Sequence, residues 1–270
     1  MEIGHAVLRD RAVVKVDGPA WRDFLQGLLT QDMLGVTPGE VRFAALLTPQ
    51  GRLLVDLFVV AADGGCLLDC PAPMRDLLVE RLNMYRLRAK VTVEASQLVV
   101  CAAWGSSEFG HGWARDPRLP EIGFRRYGVA DASVTATGDY DAHRLRLGVP
   151  GFADFDSDKT YPIEANFDLL NGIDFTKGCF VGQETTSRMK RRGAIKTRMA
   201  PIAFQGDAPA PGSELLAGDL RAGLALSGQP GRAMAILRLD RLGAGERRLT
   251  DERPWAPDFP PWMEAAVPGR

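Results

Sequence analysis

The sequence predicts an α+β fold that ends in a small all-β module. Strand and helix patterns alternate over the first half, whereas after residue 196 strands dominate, separated by Pro- and Gly-rich turns. The composition, 46% hydrophobic and 25% charged over 270 residues, is that of a chain with real cores, long enough for two domains or three small ones.

The elements follow in order. "AVVKV" (12–16) reads as a strand, and "DGPAWRDFLQGLLTQDM" as a helix entry capped by Asp17, with Pro19 in the first turn and a stripe of Trp21, Phe24, Leu25 and Leu28. "VRFAALLT" and "RLLVDLFVV" are strands joined by the hairpin signal "PQG", and "CLLDC" is a further strand. Residues 73–86 form a helix with the stripe Met74, Leu77, Leu78, Leu82 and Tyr85. "KVTVEA" and "LVVCAAW" return to strand, and 104–138 reads as loops and edges of a second subdomain. "DYDAHRLRLGVP" is a short helix stopped by Gly148 and Pro150, and "IEANFDLL" another, with Ile163, Phe167 and Leu170 on one face. "TRMAPIAF", "AGLALS" and "AMAILRLD" are the strands of the terminal module. The tail, with its many prolines, is expected to run extended or fray.

A net charge of −1 excludes polyanion binding by bulk electrostatics, so any basic site is local. The four cysteines, Cys66, Cys70, Cys101 and Cys179, form no C-x-x-C pair, and the first three sit in apolar strands as small hydrophobes. A reducing cytoplasm is the expected compartment. The opening "MEIGHAVLRDRAVVKV" reads as neither a signal nor a transit peptide, and no run approaches the ~20 apolar residues of a membrane span. His5, His111 and His143 are scattered, without zinc-like spacing, and no metal site is expected.

"KGCFVGQE" (177–184) is the run that asks for a chemical reading. A thiol reacts as the thiolate, which positive neighbours and helix N-termini favour; Lys177 is two positions from Cys179, and a helix is expected to open near Val181 or Gly182. Gly178 and Gly182 allow a sharp bend or a close ligand approach. The alternative is a buried cysteine in a tight turn. Glu164, behind Pro162, suits a helix first turn, and a carboxylate fixed there could also accept paired N–H donors from a ring such as a pterin. Asp76 points away from its helix's apolar stripe, on a face that is either solvated or lines a cleft. "RMKRRGAIKTR" (188–198) is a local positive patch, suited to a polyglutamate tail, a phosphate backbone or plain solvation.

These residues carry a resemblance. "TKGCFVGQETTSR" resembles the K-G-C-[YF]-x-G-Q-E signature of the YgfZ-type folate-binding proteins, relatives of the glycine-cleavage T-protein implicated in iron–sulfur cluster assembly or repair and in tRNA modification. "FLQGLLTQDM", "ALLTPQGRLLVDLFVV", "LNMYRLRAKVTV", "PIEANFDLLNGIDFTKGCFVGQE" and "AMAILRLD" follow in the family's order. The resemblance implies a folate-binding body of two interleaved ferredoxin-like subdomains around a central channel, plus a C-terminal β-barrel. In this chain that means 1–95 for the first part of the body and 96–138 for the second subdomain. The return segment would be 139–195, the barrel 196–252 and the Pro-rich tail 253–270.

By the same resemblance Cys179 faces the channel as thiolate ligand, redox group or transfer site, with Lys177 beside it. Glu164 matches the T-protein's pterin-holding carboxylate and Asp76 falls near its catalytic aspartate. The expected cofactor is tetrahydrofolate or a derivative, with contacts from Glu164, Phe180, Gly182, Gln183, Glu184, Arg188 and Tyr85; a transient iron–sulfur cluster would pass by Cys179. Expected partners are iron–sulfur client or carrier proteins, with a tRNA contact through 188–198 and no membrane. The first reading is therefore an accessory factor for cluster assembly, insertion or repair. The alternative is a tetrahydrofolate-dependent aminomethyltransferase using Asp76 and Glu164, against which the cysteine, absent from the T-protein, counts.

Overall fold

The computed structural model describes residues 3–129, 139–193 and 195–267. Of the subdomain expected over 104–138, residues 130–138 lie outside the described residues. The chain divides into two compact units, Met1–Tyr140 with Leu170–Thr185 and Asp141–Leu169 with Thr186–Arg270.

The first unit contains β1 (Gly4–Val7), β2 (Arg11–Asp17), α1 (Trp21–Gln26), β3 (Val41–Leu47), β4 (Leu53–Ala62), β5 (Gly65–Pro71) and α2 (Arg75–Arg86). Its remaining strands are β6 (Thr92–Ser96), β7 (Val99–Trp104), β8 (Ala114–Arg115) and β9 (Phe124–Gly128). One sheet has the order β3-β4-β5-β2-β6 and the other β1-β7-β9-β8. Strand alternation decides which side chain serves which core. Val14 and Val16 of β2, with Cys66, Leu68 and Cys70 of β5, join Trp21, Leu25, Leu78 and Leu82 from the two helices. Val13, on the other face of β2, packs with Ala6, Val100, Ala102 and Trp104 from the smaller sheet. Each fully buried Leu or Val contributes about 1.5–3 kcal/mol.

Between these sheets runs an ion network that the sequence did not announce. Arg11 Nη1 donates to Asp56 (2.7 Å) and Nε to Asp69 (2.6 Å), while Arg125 Nη2 reaches Asp69 from β9 (2.8 Å). Arg118 grips Asp116, and the Arg125 guanidinium lies 3.7 Å from the Phe58 ring centroid. Three arginines balance three aspartates, which is the condition for burying charge at tolerable cost.

Asp17 does not cap α1. It ends β2 and pairs with Lys15 at 2.7 Å; Ala20 stands at the N-cap.

The second unit holds α3 (Tyr140–Arg146, entered from the first unit), most of α4 (Gln183–Arg192), β10 (Thr197–Phe204), β11 (Glu214–Ala217), β12 (Leu220–Gln229), β13 (Arg232–Arg238), β14 (Arg247–Leu249) and β15 (Trp255–Pro257). The sheet order is β14-β11-β12-β13-β10-β15, and an Arg248–Pro254 bridge brings its edges into a nearly closed barrel. The tail is docked through the described residues up to 267: β15 pairs with β10, Trp255 Nε1 donates to the Leu216 carbonyl (3.1 Å), and Met263 is fully buried in a 3-10 helix, Pro261–Ala266.

The expected helix over "IEANFDLL" is a run of turns instead. Asn166 has φ +61°, a left-handed conformation that asparagine tolerates. Its side chain donates to the Met199 carbonyl (2.7 Å) and accepts from Arg198 (3.0 Å), so tertiary bonds replace a helical ladder.

Candidate functional site

The 174–184 loop is tied down at Asp174, Thr176, Lys177, Phe180, Val181 and Gln183. Asp174 opens it: its Oδ1 accepts from the Thr176 N–H and hydroxyl (both 2.7 Å) and from the Lys177 N–H (3.1 Å). Burial works against that carboxylate's charge, but these donors and the nearby Lys177 hold it below the usual range.

Lys177 then turns inward. Its Nζ donates to the carbonyls of Gln26 (2.8 Å), Leu29 (2.6 Å) and Gln31 (2.9 Å), at the C-terminal end of α1 and just beyond. Those carbonyls have no partner within the helix, and a cation there also meets the negative end of its dipole. Burial pushes the Lys177 pKa down to about 8, against the pull of Asp32 and Asp174. All three ammonium donors are spent on backbone, so Lys177 braces the loop and has no donor left for the thiol two positions on.

Further bonds fix the same segment. Asp174 N donates to Thr30 O (2.9 Å) and Val181 N to Gly27 O (3.2 Å), while the buried Thr30 hydroxyl donates to Gly172 O (2.6 Å) and accepts from Ala45 N (2.8 Å). Gln31 Nε2 reaches Asn171 O (2.8 Å). Thr30 and Gln31 were missed as site-building residues, although they sit in "FLQGLLTQDM", one of the stretches that carry the resemblance.

Phe180 is buried, 5.3 Å from the Lys177 ammonium, and its N–H donates to Gln183 Oε1 (3.3 Å). Gly182 has φ +79°, and a Cβ there would lie 2.6 Å from the Thr48 carbonyl on the β3–β4 turn. Gln183 then opens α4, with Glu184 exposed in its first turn, close to where the sequence placed the helix start.

Cys179 is exposed, whereas Cys66, Cys70 and Cys101 are buried. Burial pushes the Cys70 thiol up to about 12 and Cys66 higher still. Beside Cys179, a Cβ on Gly178 would meet nothing within 4 Å, so the position next to the exposed thiol is open as well. One accessible sulfur is thus presented on a braced loop.

The other candidates lie elsewhere. Asp76 stands on the solvated face of α2, 85% exposed and paired with Arg75 (2.9 Å); Tyr85, on the same helix, packs against the first unit's core. Glu164 belongs to the second unit, half-buried, with Oε2 accepting from the Tyr161 N–H (3.2 Å). Arg188, Arg191, Arg192 and Lys196 are exposed, but Arg198 leaves the basic run: it is buried and forks onto Asp168 (2.9 and 3.0 Å). Among the described residues, no three His, Cys, Asp or Glu side chains stand together as a metal site, and no helix is long and apolar enough to cross a membrane.

Residues 196–265 match the model of the CAF17 C-terminal β-barrel domain. The chain is 34% identical over 269 residues to the mitochondrial iron–sulfur cluster assembly factor IBA57 homolog of Phaeosphaeria nodorum, covering 89% of this chain and 64% of that protein. To the mitochondrial iron–sulfur cluster assembly factor IBA57 of Homo sapiens it is 33% identical over 240 residues, covering 76% of this chain and 67% of the human protein. The chain thus spans about two thirds of these relatives' length. The crystal structure of glycine cleavage system aminomethyltransferase T from Bartonella henselae superposes with a TM-score of 0.77 at 17% identity, over 97% of this chain and 86% of that one, which establishes the shared T-protein-like fold.

The relatives correct the expected compartment. Both IBA57 proteins are mitochondrial by name, which overturns a cytoplasmic assignment. Sparse free cysteines report a reducing environment, and that does not single out the cytoplasm. By sequence relationship and by fold, the chain belongs to the YgfZ/CAF17/IBA57 family.

Proposed function

We propose that this chain is an accessory factor in iron–sulfur cluster assembly or repair, which binds a reduced folate and works on client or carrier proteins through Cys179. The observation that carries the reading is the single exposed thiol on a loop braced by Lys177, Asp174 and Val181. The names of the IBA57 relatives support the same process. The cluster is cargo. Cys179 supplies one thiolate, and the remaining ligands come from the protein that delivers or receives the cluster.

Glu164 fits the folate part of the reading. Its carboxylate is half-buried, and Oε2 accepts from the Tyr161 N–H (3.2 Å), so it is held in place as an acceptor of N–H donors. Glu164 would hold the pterin N–H donors, and the bound tetrahydrofolate would supply a reduced ring. Asp76, in solvent and paired with Arg75, has no part in this scheme.

Complementation tests the proposal. In a strain lacking the protein, iron–sulfur enzyme activities should fall, most under oxidative stress. Asp76→Asn should restore them and Cys179→Ser should not. Glu164→Ala should weaken tetrahydrofolate binding in calorimetry. Restoration by Cys179→Ser, together with a requirement for Asp76 and measurable aminomethyl transfer, would replace this reading with a transferase.

A further inference from the structure

α2 turns its apolar stripe inward: Leu78 and Leu82 are fully buried, and Met74, Leu77 and Tyr85 pack on the same core. Its C-terminal end presents something else. Met84 is 51% exposed, and Leu87, which closes the helix, is 88% exposed. Leu87 also has φ +45°, a conformation that a bulky side chain disfavours and that glycine commonly fills at a helix end. Burial does not offset that strain, since the side chain stands in solvent.

Cations surround the two apolar side chains. Over residues 80–90, Arg81, Arg86, Arg88 and Lys90 stand against one acid, Glu80, a local net charge of +3 in a chain of net −1. Arg86 Nη1 donates to the Val91 carbonyl (3.3 Å), and among the described residues none of the four cations has a carboxylate partner. The other acid of the helix, Asp76, is already paired with Arg75 (2.9 Å).

An exposed apolar tip among unpaired cations complements an anionic lipid surface, whose headgroups take the charges while the acyl boundary takes Leu87 and Met84. A nucleic acid would leave those two side chains in water, and no exposed aromatic ring stands among them for stacking. An acidic protein would have to supply a pocket shaped for the tip; a fluid lipid surface needs none. We propose that residues 81–90 dock on an anionic lipid surface, with Leu87 and Met84 inserted at the headgroup level. Such contact requires no spanning helix, and the expectation of no membrane rested on span length alone. The proposal goes beyond the cluster reading, which uses neither the tip nor these cations.

Flotation of the full chain with lipid vesicles tests it. The chain should float with an equal mixture of phosphatidylcholine and phosphatidylglycerol, but not with phosphatidylcholine alone, and high salt should release it. Leu87→Gly suits the positive φ, so the fold should be kept while binding falls about tenfold with the apolar side chain. Arg88→Gln with Lys90→Gln should weaken binding more than about tenfold, at about fivefold per cation, without lowering Tm. Arg191→Gln with Arg192→Gln, on the other basic run, should bind like the parent. Parent-like flotation of Leu87→Gly, equal flotation with phosphatidylcholine alone, or loss of binding in the 191/192 variant in place of the 88/90 variant would overturn the proposal. No flotation with the mixture would also overturn it, and would leave an acidic protein as the occupant.

Discussion

The Lys177 ammonium does for α1 what a C-terminal cap does, but from a segment some 150 positions away (146 to 151 for its three acceptors). Lys177→Met keeps the aliphatic stem and leaves the three carbonyls without their charged donor. A loss of roughly 1–3 kcal/mol is expected at pH 7, the cost of unsatisfied acceptors and of a lost charge-assisted bond. The pH dependence is distinctive. The folded pKa of about 8 lies below the ordinary 10.5, so across that window the unfolded chain holds the extra proton and the lysine's contribution to stability rises with pH. Denaturant midpoints of parent and variant should therefore diverge further between pH 8 and 10.5. Convergence over that range would mean that the carbonyls keep the proton on the folded lysine. The thiols give a second residue-level test. Native protein should take one equivalent of iodoacetamide, at Cys179, because Cys66, Cys70 and Cys101 are buried. Labelling of Cys66 at an equal rate would contradict the burial described above.

Two glycine turns interlock at the level of elements. A Cβ on Gly182 would press on the Thr48 carbonyl at 2.6 Å, and one on Gly51 would meet the Gly182 carbonyl at 2.9 Å. Both residues also have positive φ, so the thiol loop and the β3–β4 hairpin turn fit only without side chains. Gly182→Ala should cost more than about 1 kcal/mol, lowering Tm by about 2–4 °C or more. Gly178→Ala, which meets nothing, should be near neutral; a reversed order in calorimetric scans would refute the interlock. These elements also show what the sequence could reveal. The β3–β4 hairpin was readable because its apolar runs are bounded by "PQG", a signal local to the chain. The turns at 162–170 were not, since the left-handed Asn166 is held by Arg198 and Met199, 32 and 33 positions further on. The Arg125–Asp69 pair spans 56 positions and gives no local pattern at all. The loop around Cys179 stood out by its residue types, yet the role of Lys177 did not, because the carbonyls it serves lie far back in the sequence. The docked tail had a usable sign in Trp255, Trp262 and Met263, large apolar residues that an extended, solvated segment has no reason to keep.

At the scale of the whole molecule, the barrel is stitched to a segment that precedes it by dozens of residues. Asp154 pairs with Arg144 (2.9 Å) and accepts from the Ser227 N–H (3.0 Å), and Trp262 donates to the Leu147 carbonyl (2.9 Å). Met199 N donates to Glu164 O (2.7 Å), and Asp168 neutralises the buried Arg198. Apart from Asp154–Arg144, which lies wholly outside it, the region matching the CAF17 barrel model, 196–265, contains only one side of each bond. Excised alone, it would strand Arg198 without its carboxylate, and breaking a buried pair costs about 3–5 kcal/mol. The whole stability of a domain is only about 5–15 kcal/mol. The 196–265 fragment should therefore lack a cooperative thermal transition. Joining 141–169 to 186–267, with a Gly/Ser linker of equal length in place of 170–185, should recover one, since that chain carries both halves of every bond named here. Calorimetry on the two fragments decides the matter. A sharp calorimetric melt of 196–265 by itself would show that the barrel is self-sufficient and that 141–169 merely rests on it, while failure of the joined chain to melt cooperatively would show that the second unit needs more than its own residues.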